Sequence, residues 1–311
     1  MKQIILLLTL VFAFSVYGFA QPFSVEISIT NQPKNMIVFG SVSGDNFTAI
    51  DSSFLYPESN KVNFGFPANA SPGVYRIVMG QTPYAKVMDE PPQMVNFIFN
   101  NENLILETDF KEPLEKLEIL QSAENMIWFD FLSKDKTIRK EIKKLQSELD
   151  HFWSIDDKEK AVKIANDYNL LQIERDLLIT QTVKQNPNLL VSEMIKNQRK
   201  PMLDGYLTPE ERVESFKNDF FNTLDFTDER LIQSSVYTDN IFEYLVTYNN
   251  PELTGEQREK EYIKAVNIII LHVNKNEKVY QFIMDYMIHG FEILKFKNAV
   301  KYVSSKRNSA P

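Results

Sequence analysis

The sequence predicts an α+β protein whose two kinds of structure form separate domains, an N-terminal antiparallel β-sandwich and then an all-α helical domain. Three observations carry that expectation. Apolar residues recur at every second position in the first part and at every third or fourth position after residue 122. Glycine crowds the first part at Gly40, Gly44, Gly65, Gly73 and Gly80, then thins to Gly205, Gly255 and Gly290. Frequent glycine suits tight turns between short strands, and its scarcity suits long helices. Helix-start signatures mark the second part at Thr208 and Thr254.

Before either part stands an expected export signal over residues 1–20. A cation at Lys2 precedes an apolar run from Ile4 to Val16 and a small-x-small exit at Gly18-Phe19-Ala20. These features place cleavage before Gln21 and the mature chain in the periplasm or outside the cell. Disulfides are permitted there, yet the chain has no cysteine, which excludes both disulfide bonding and thiol chemistry. A lipid anchor is excluded for the same reason. After the signal the longest apolar run, Val266 to Val273, is too short to span a bilayer.

The expected sandwich covers residues 21–121. Val25, Ile27 and Ile29 alternate with Glu26, Ser28 and Thr30, and the period of two repeats at Val62-x-Phe64-x-Phe66, Tyr75-x-Ile77-x-Met79 and Val95-x-Phe97-x-Phe99. Each such strand has one apolar face for a common core. Asn100-Asn101, before Leu104–Leu106, suits a tight hairpin because asparagine tolerates positive φ. Pro91-Pro92 marks a loop, since neither residue donates to a ladder. Roughly eight short strands between residues 23 and 120 fit a sandwich.

The expected helical domain covers residues 122–311. Ile138, Ile142, Leu145, Leu149 and Phe152 form one seam; after a break at Ser154-Ile155-Asp156, Ala161, Ala165, Tyr168, Leu171, Leu178 and Thr182 form another. Two such stripes joined by a tight turn describe an antiparallel helical hairpin. Thr208-Pro209-Glu210-Glu211 reads as a capping box, and Thr254-Gly255-Glu256-Gln257 as a second. Tyr262, Val266, Ile269 and Val273, then Phe282, Ile283 and Tyr286, supply further buried faces. Ser304 to Pro311 reads as a frayed end. Whether the two halves pack together or hinge near Gln121-Ser122 stays open at this level.

With 43% hydrophobic and 24% charged residues the chain is a folding one. Loss of Lys2 with the signal takes the net charge from −8 to −9, an acidity that argues against nucleic acid as partner. The sequence names no catalytic, cofactor-binding or metal-binding residue. His151, His272 and His289 lack the i, i+3 or i, i+4 spacing of ligands on one helix face. No Gly-x-Ser-x-Gly elbow occurs, and Gly40-Ser41-Val42-Ser43-Gly44 lacks the lysine and following helix of a phosphate loop; a β-turn accounts for it. The acidic pairs Asp89-Glu90, Asp156-Asp157, Glu210-Glu211 and Asp228-Glu229 are the candidates for paired-carboxylate chemistry, but three of them sit where a helix begins and answer its dipole. Arg139, Lys140, Lys143 and Lys144, interrupted by Glu141, form the wet side of the first helical seam. The chain has 23 phenylalanines and 13 tyrosines; Trp128-Phe129-Asp130-Phe131, Trp153 and Phe220-Phe221 suggest sandwiched helices or a partner surface.

Gly73-Val74-Tyr75-Arg76 and the run Val95-Asn96-Phe97-Ile98-Phe99-Asn100-Asn101-Glu102-Asn103-Leu104-Ile105-Leu106 resemble the N-terminal β-domain of a group of exported thiol–disulfide oxidoreductases. Phe216-Lys217-Asn218-Asp219-Phe220-Phe221 and Leu224-Asp225-Phe226-Thr227-Asp228-Glu229-Arg230-Leu231 resemble the helical region of the same group, so the likeness spans most of residues 23–300. In that group a thioredoxin-like (AhpC/TSA-type) domain with a Cys-x-x-Cys site follows; this chain carries no such pair, so no catalytic residue carries over. The resemblance therefore implies the non-redox part of such an enzyme, as a free-standing accessory module or a truncated remnant. The leading expectation is a non-enzymatic module that binds a protein partner or forms a homo-oligomer. A second is a small-ligand or glycan-binding β-domain on a helical spacer, with Tyr84 or Tyr56 as stacking platforms. A hydrolase assembled from scattered Ser, His and acidic residues is a third.

Overall fold

The computed structural model describes residues 23–55 and 59–308; the expected signal and Tyr56 lie outside them. Eight described strands form two four-stranded sheets. They are β1 (Ser24–Thr30), β2 (Asn35–Ser43), β3 (Asn46–Leu55), β4 (Lys61–Gly65), β5 (Gly73–Gly80), β6 (Gln93–Phe99), β7 (Leu104–Asp109) and β8 (Glu118–Gln121). One sheet has the order β4-β1-β7-β8 and the other β3-β2-β5-β6. The period-two apolar residues of both sheets meet in one buried cluster, from Val25, Ile27 and Ile29 to Phe97 and Phe99. Aromatic rings bridge the layers: Phe39 of β2 stacks on Phe64 of β4 at 5.4 Å between centroids, and Phe66 stacks on Phe99 at 3.9 Å.

Two details depart from the sequence reading. The pairing is not wholly antiparallel, because β1 and β7 run parallel, with Val25 beside Leu104 and Thr30 beside Asp109. Strands so distant in the chain are free of a hairpin's direction constraint. Asn101 does adopt a positive φ of 57°, but its turn joins the two sheets and is no hairpin. The next segment is drawn toward the other sheet, where Asn103 Oδ1 accepts from Ser24 N at 2.9 Å.

A short helix α1 (Pro83–Val87) connects β5 to β6, and the remaining helices follow β8. They are α2 (Ala123–Ser154), α3 (Lys158–Gln185), α4 (Leu190–Lys196), α5 (Pro209–Asp219), α6 (Val236–Val246), α7 (Gly255–Val273), α8 (Glu277–Ile293) and α9 (Lys297–Arg307), with 3-10 turns at Phe220–Thr223 and Glu229–Gln233. The α2–α3 hairpin forms around the buried Leu149, Ala161, Ala165 and Tyr168. Asp135, also buried, is held between Arg175 Nε at 2.6 Å and Arg139 Nε at 2.7 Å. The Thr208 capping box forms with Glu211. The one expected at Thr254 does not, since Thr254 makes no side-chain cap and Gly255 enters the helix at φ 50°. The expected frayed end is helical as far as Arg307, while residues 309–311 lie outside the described set. No described helix is long and apolar enough to cross a membrane.

Helices and sheets share a core. Val42, Val74 and Ile98, on the outer face of the β3-β2-β5-β6 sheet, belong to the buried helical cluster with Phe131, Leu190, Leu231 and Tyr237. The approach is close enough that a Cβ on Gly73 would lie 2.3 Å from Cβ of Gln233, so only glycine fits there. Gly44 N donates to Ser234 O at 3.0 Å, and Ser43 Oγ to Ile232 O at 3.1 Å.

The seam is fixed where α2 begins. β6 is an edge strand, and the amide of fully buried Asn125 occupies that edge. Its Oδ1 accepts from Ile98 N and its Nδ2 donates to Ile98 O, each at 2.7 Å. Beside it, buried Glu124 accepts from Leu190 N at 3.3 Å and Val191 N at 2.7 Å. The carboxylate thereby caps α4, whose own N-cap residue Leu189 offers no side-chain bond. Asn125→Ala strands a buried N–H and C=O on Ile98, so the expected loss of stability is about 2–4 kcal/mol, read as a fall in the urea midpoint. An unchanged midpoint would mean that this contact does not hold the layers together.

Candidate functional site

The three histidines lie on three different helices. His151 is on α2, His272 on α7 and His289 on α8, and among the described residues no group of three or more His, Cys, Asp or Glu side chains is placed to hold a metal. His272 stacks on Phe221 with centroids 4.6 Å apart and ring planes 14° from parallel. Burial, with Lys275 nearby, pushes the His272 imidazole below its ordinary value.

The acidic pairs are largely engaged in local structure. Asp157 caps α3 by accepting from Lys160 N at 3.2 Å. Glu211 completes the α5 capping box. Asp228 holds Arg230, and Glu229 pairs with Lys278 at 2.7 Å. Asp89-Glu90 follows α1, with Asp89 at φ 54°. Within the Gly40–Gly44 segment only Gly44, at φ 57°, makes the β2–β3 turn, and Gly40 lies in β2 itself. Arg139 of the basic cluster is tied to Asp135. Phe220 and Phe221 are buried against Tyr244, so they are core and not surface.

Exposed apolar side chains do occur together at one end of the β3-β2-β5-β6 sheet. Met36 and Val38 alternate with the core residues Ile37 and Phe39 and therefore face outward. Registered beside them across the strands are Phe54, Val78 and Met94. Met36 is 49% exposed and Phe54 58% exposed. The β5–β6 connection at that same end carries α1, where Tyr84, Val87 and Met88 are 67%, 83% and 56% exposed. Thr82 Oγ1 caps α1 by accepting from Ala85 N at 3.0 Å, and buried Ala85 seats it. Of this surface the sequence reading singled out only Tyr84. The signal was present, however: Met36-Ile37-Val38-Phe39 and Ile77-Val78-Met79 are unbroken apolar runs, the mark of strands apolar on both faces.

Comparison of the chain with family models and with curated proteins finds no match in either. The chemistry that can be tested directly is that of His272. Its folded value lies below its unfolded value, so the neutral ring contributes stability above about pH 6.5 that is lost as pH falls through the lowered folded value. In His272→Phe, the urea midpoint should fall less between pH 8 and pH 5 than it does in the parent; equal falls would refute the assignment.

Proposed function

We propose that this chain is an exported, non-catalytic interaction module, a β-sandwich braced by a helical layer, that engages a protein partner through the open apolar end of its outer sheet. The observation that carries this reading is the exposure of Met36 and Phe54 at one end of the outer sheet, together with Tyr84, Val87 and Met88 in the β5–β6 connection at that end. Apolar patches of this kind mark interaction surfaces, and aromatic and methionine side chains are enriched at them. The export-signal pattern of residues 1–20 supports a periplasmic or secreted setting. The resemblance to the non-redox part of thiol–disulfide oxidoreductases supports a thioredoxin-like protein as the first partner to test.

A glycan reading fits the same surface less well. Apart from Tyr84, the exposed side chains of that surface, Met36, Phe54, Val87 and Met88, carry no hydroxyl, amide or charge, whereas a sugar platform needs hydrogen-bonding groups around the ring.

Phe54→Asp tests the proposal, because an exposed side chain can be changed with little effect on folding. Parent and variant should melt alike, while capture of the partner from an envelope extract, or self-association by sedimentation, should weaken about tenfold or more. A parent that sediments as a monomer and retains no reproducible partner would overturn the reading, as would equal capture by the two proteins.

A further inference from the structure

A cleft of about 400 Å³ opens on the helical side of the molecule, between the C-terminal part of α2, the segment before α5, α5 itself and the end of α6. Its size falls within the roughly 300–1,000 Å³ range of small-molecule sites. Leu203, Val213 and Phe216 make its walls, and Val213 stays 48% exposed.

The polar groups of the cleft are a carboxylate, a guanidinium, an amide and a hydroxyl, and they are not equally open to a guest. Arg212 lies behind the surface with its side chain 3% exposed, donating to Leu207 O at 2.6 Å and to Asp150 Oδ1. Asp150 completes this pair from the solvent side, with 42% of its side chain exposed. Among the described residues no donor reaches its second oxygen. The cation of the pair is thus covered and bonded, while the carboxylate keeps part of its surface open. Gln146, one turn earlier on α2, adds an amide with no protein partner among the described residues. Thr247 commits its hydroxyl hydrogen to Tyr244 O at 2.7 Å and turns only lone pairs outward. Asp150 also stands within the last turn and a half of α2, where the helix dipole is negative. The opposing positive end of α5 is already answered by its own Glu210 and Glu211.

Apolar walls beside a half-exposed carboxylate with one oxygen open select a guest of matching character. We infer that this cleft binds an apolar group carrying a protonated amine, whether a free amphipathic amine or a basic side chain of a peptide. The apolar body displaces water from Leu203, Val213 and Phe216, and the ammonium meets the outer oxygen of Asp150. An anion is disfavoured, because Arg212 is buried and already bonded to the protein.

The test is an NMR titration of the full mature chain at pH 7 with phenethylamine, its neutral isostere 2-phenylethanol, and a lysine-containing tetrapeptide. Saturable shifts confined to residues around 146–150 and 203–216 are expected with an amine source, and binding of the alcohol should be about tenfold weaker. Asp150→Asn should erase that preference. Because it also strips Arg212 of its charged partner, Gln146→Lys serves as the second variant; it leaves the ion pair intact and should weaken amine binding about tenfold without changing the alcohol. Comparing phenethylamine with the peptide separates the two amine sources, and saturation by either supports the site. Equal affinity for amine and alcohol, no saturable shift with either amine source, or undiminished amine binding by Gln146→Lys would each overturn it.

Discussion

Two consecutive side chains, Glu124 and Asn125, tie the helical layer to the edge of the outer sheet. Asn125 presents to the edge of β6 the donor and acceptor that a further strand would have offered, both at 2.7 Å. Glu124 spends its carboxylate on the start of α4, which has no cap of its own. Ser122, the N-cap of α2, ties the pair into the same network by accepting from Asn125 N and donating to Glu102. Hydrogen bonds buried in this way are modest in net worth when made and costly when unmade. The helical layer is therefore held in one position on the sheet, and the change of structure at residue 122 is a joint, not a hinge.

The outer face of the β3-β2-β5-β6 sheet follows from that joint. Val42, Val74 and Ile98 at one end are taken into the helical core. Arg76 and Asn96 in the middle satisfy each other through a 2.7 Å hydrogen bond. Val38, Val78 and Met94 at the far end are half-buried, and Met36 and Phe54 beyond them are exposed. A single sheet face thus grades from interior to surface along its strands. The fold has room for another layer over the uncovered end.

Much of this architecture was readable from residue order, and the exceptions have physical causes. The period-two segments and the α2–α3 hairpin stand where alternation and the i, i+3/i+4 stripes put them, because one-sided burial leaves that trace. The helical stripe misled at its centre: Leu171 and Leu178 are only partly buried, while Arg175 takes a fully packed position. A guanidinium facing Asp135 from the neighbouring helix is satisfied by a partner forty positions away, which no local pattern reports. Asn125 and Glu124 were invisible for the same reason, each reading as an ordinary polar residue at a helix start. The cleft at Asp150 likewise depends on segments brought together only by the fold.

The parallel pairing of β1 with β7 bears on how the chain reaches this state. β1 lies inside its sheet, between β4 and β7, so the earliest strand to emerge is flanked by two of the later ones. Its registered partners on β7 lie 79 residues downstream, Val25 beside Leu104, and closing such a span costs on the order of 4 kcal/mol in chain entropy. High contact order of this sort slows folding. A chain emerging N-terminus first can pair β1 with β4 once residue 65 is out, but the sheet is not closed on the other side of β1 until β7 has followed.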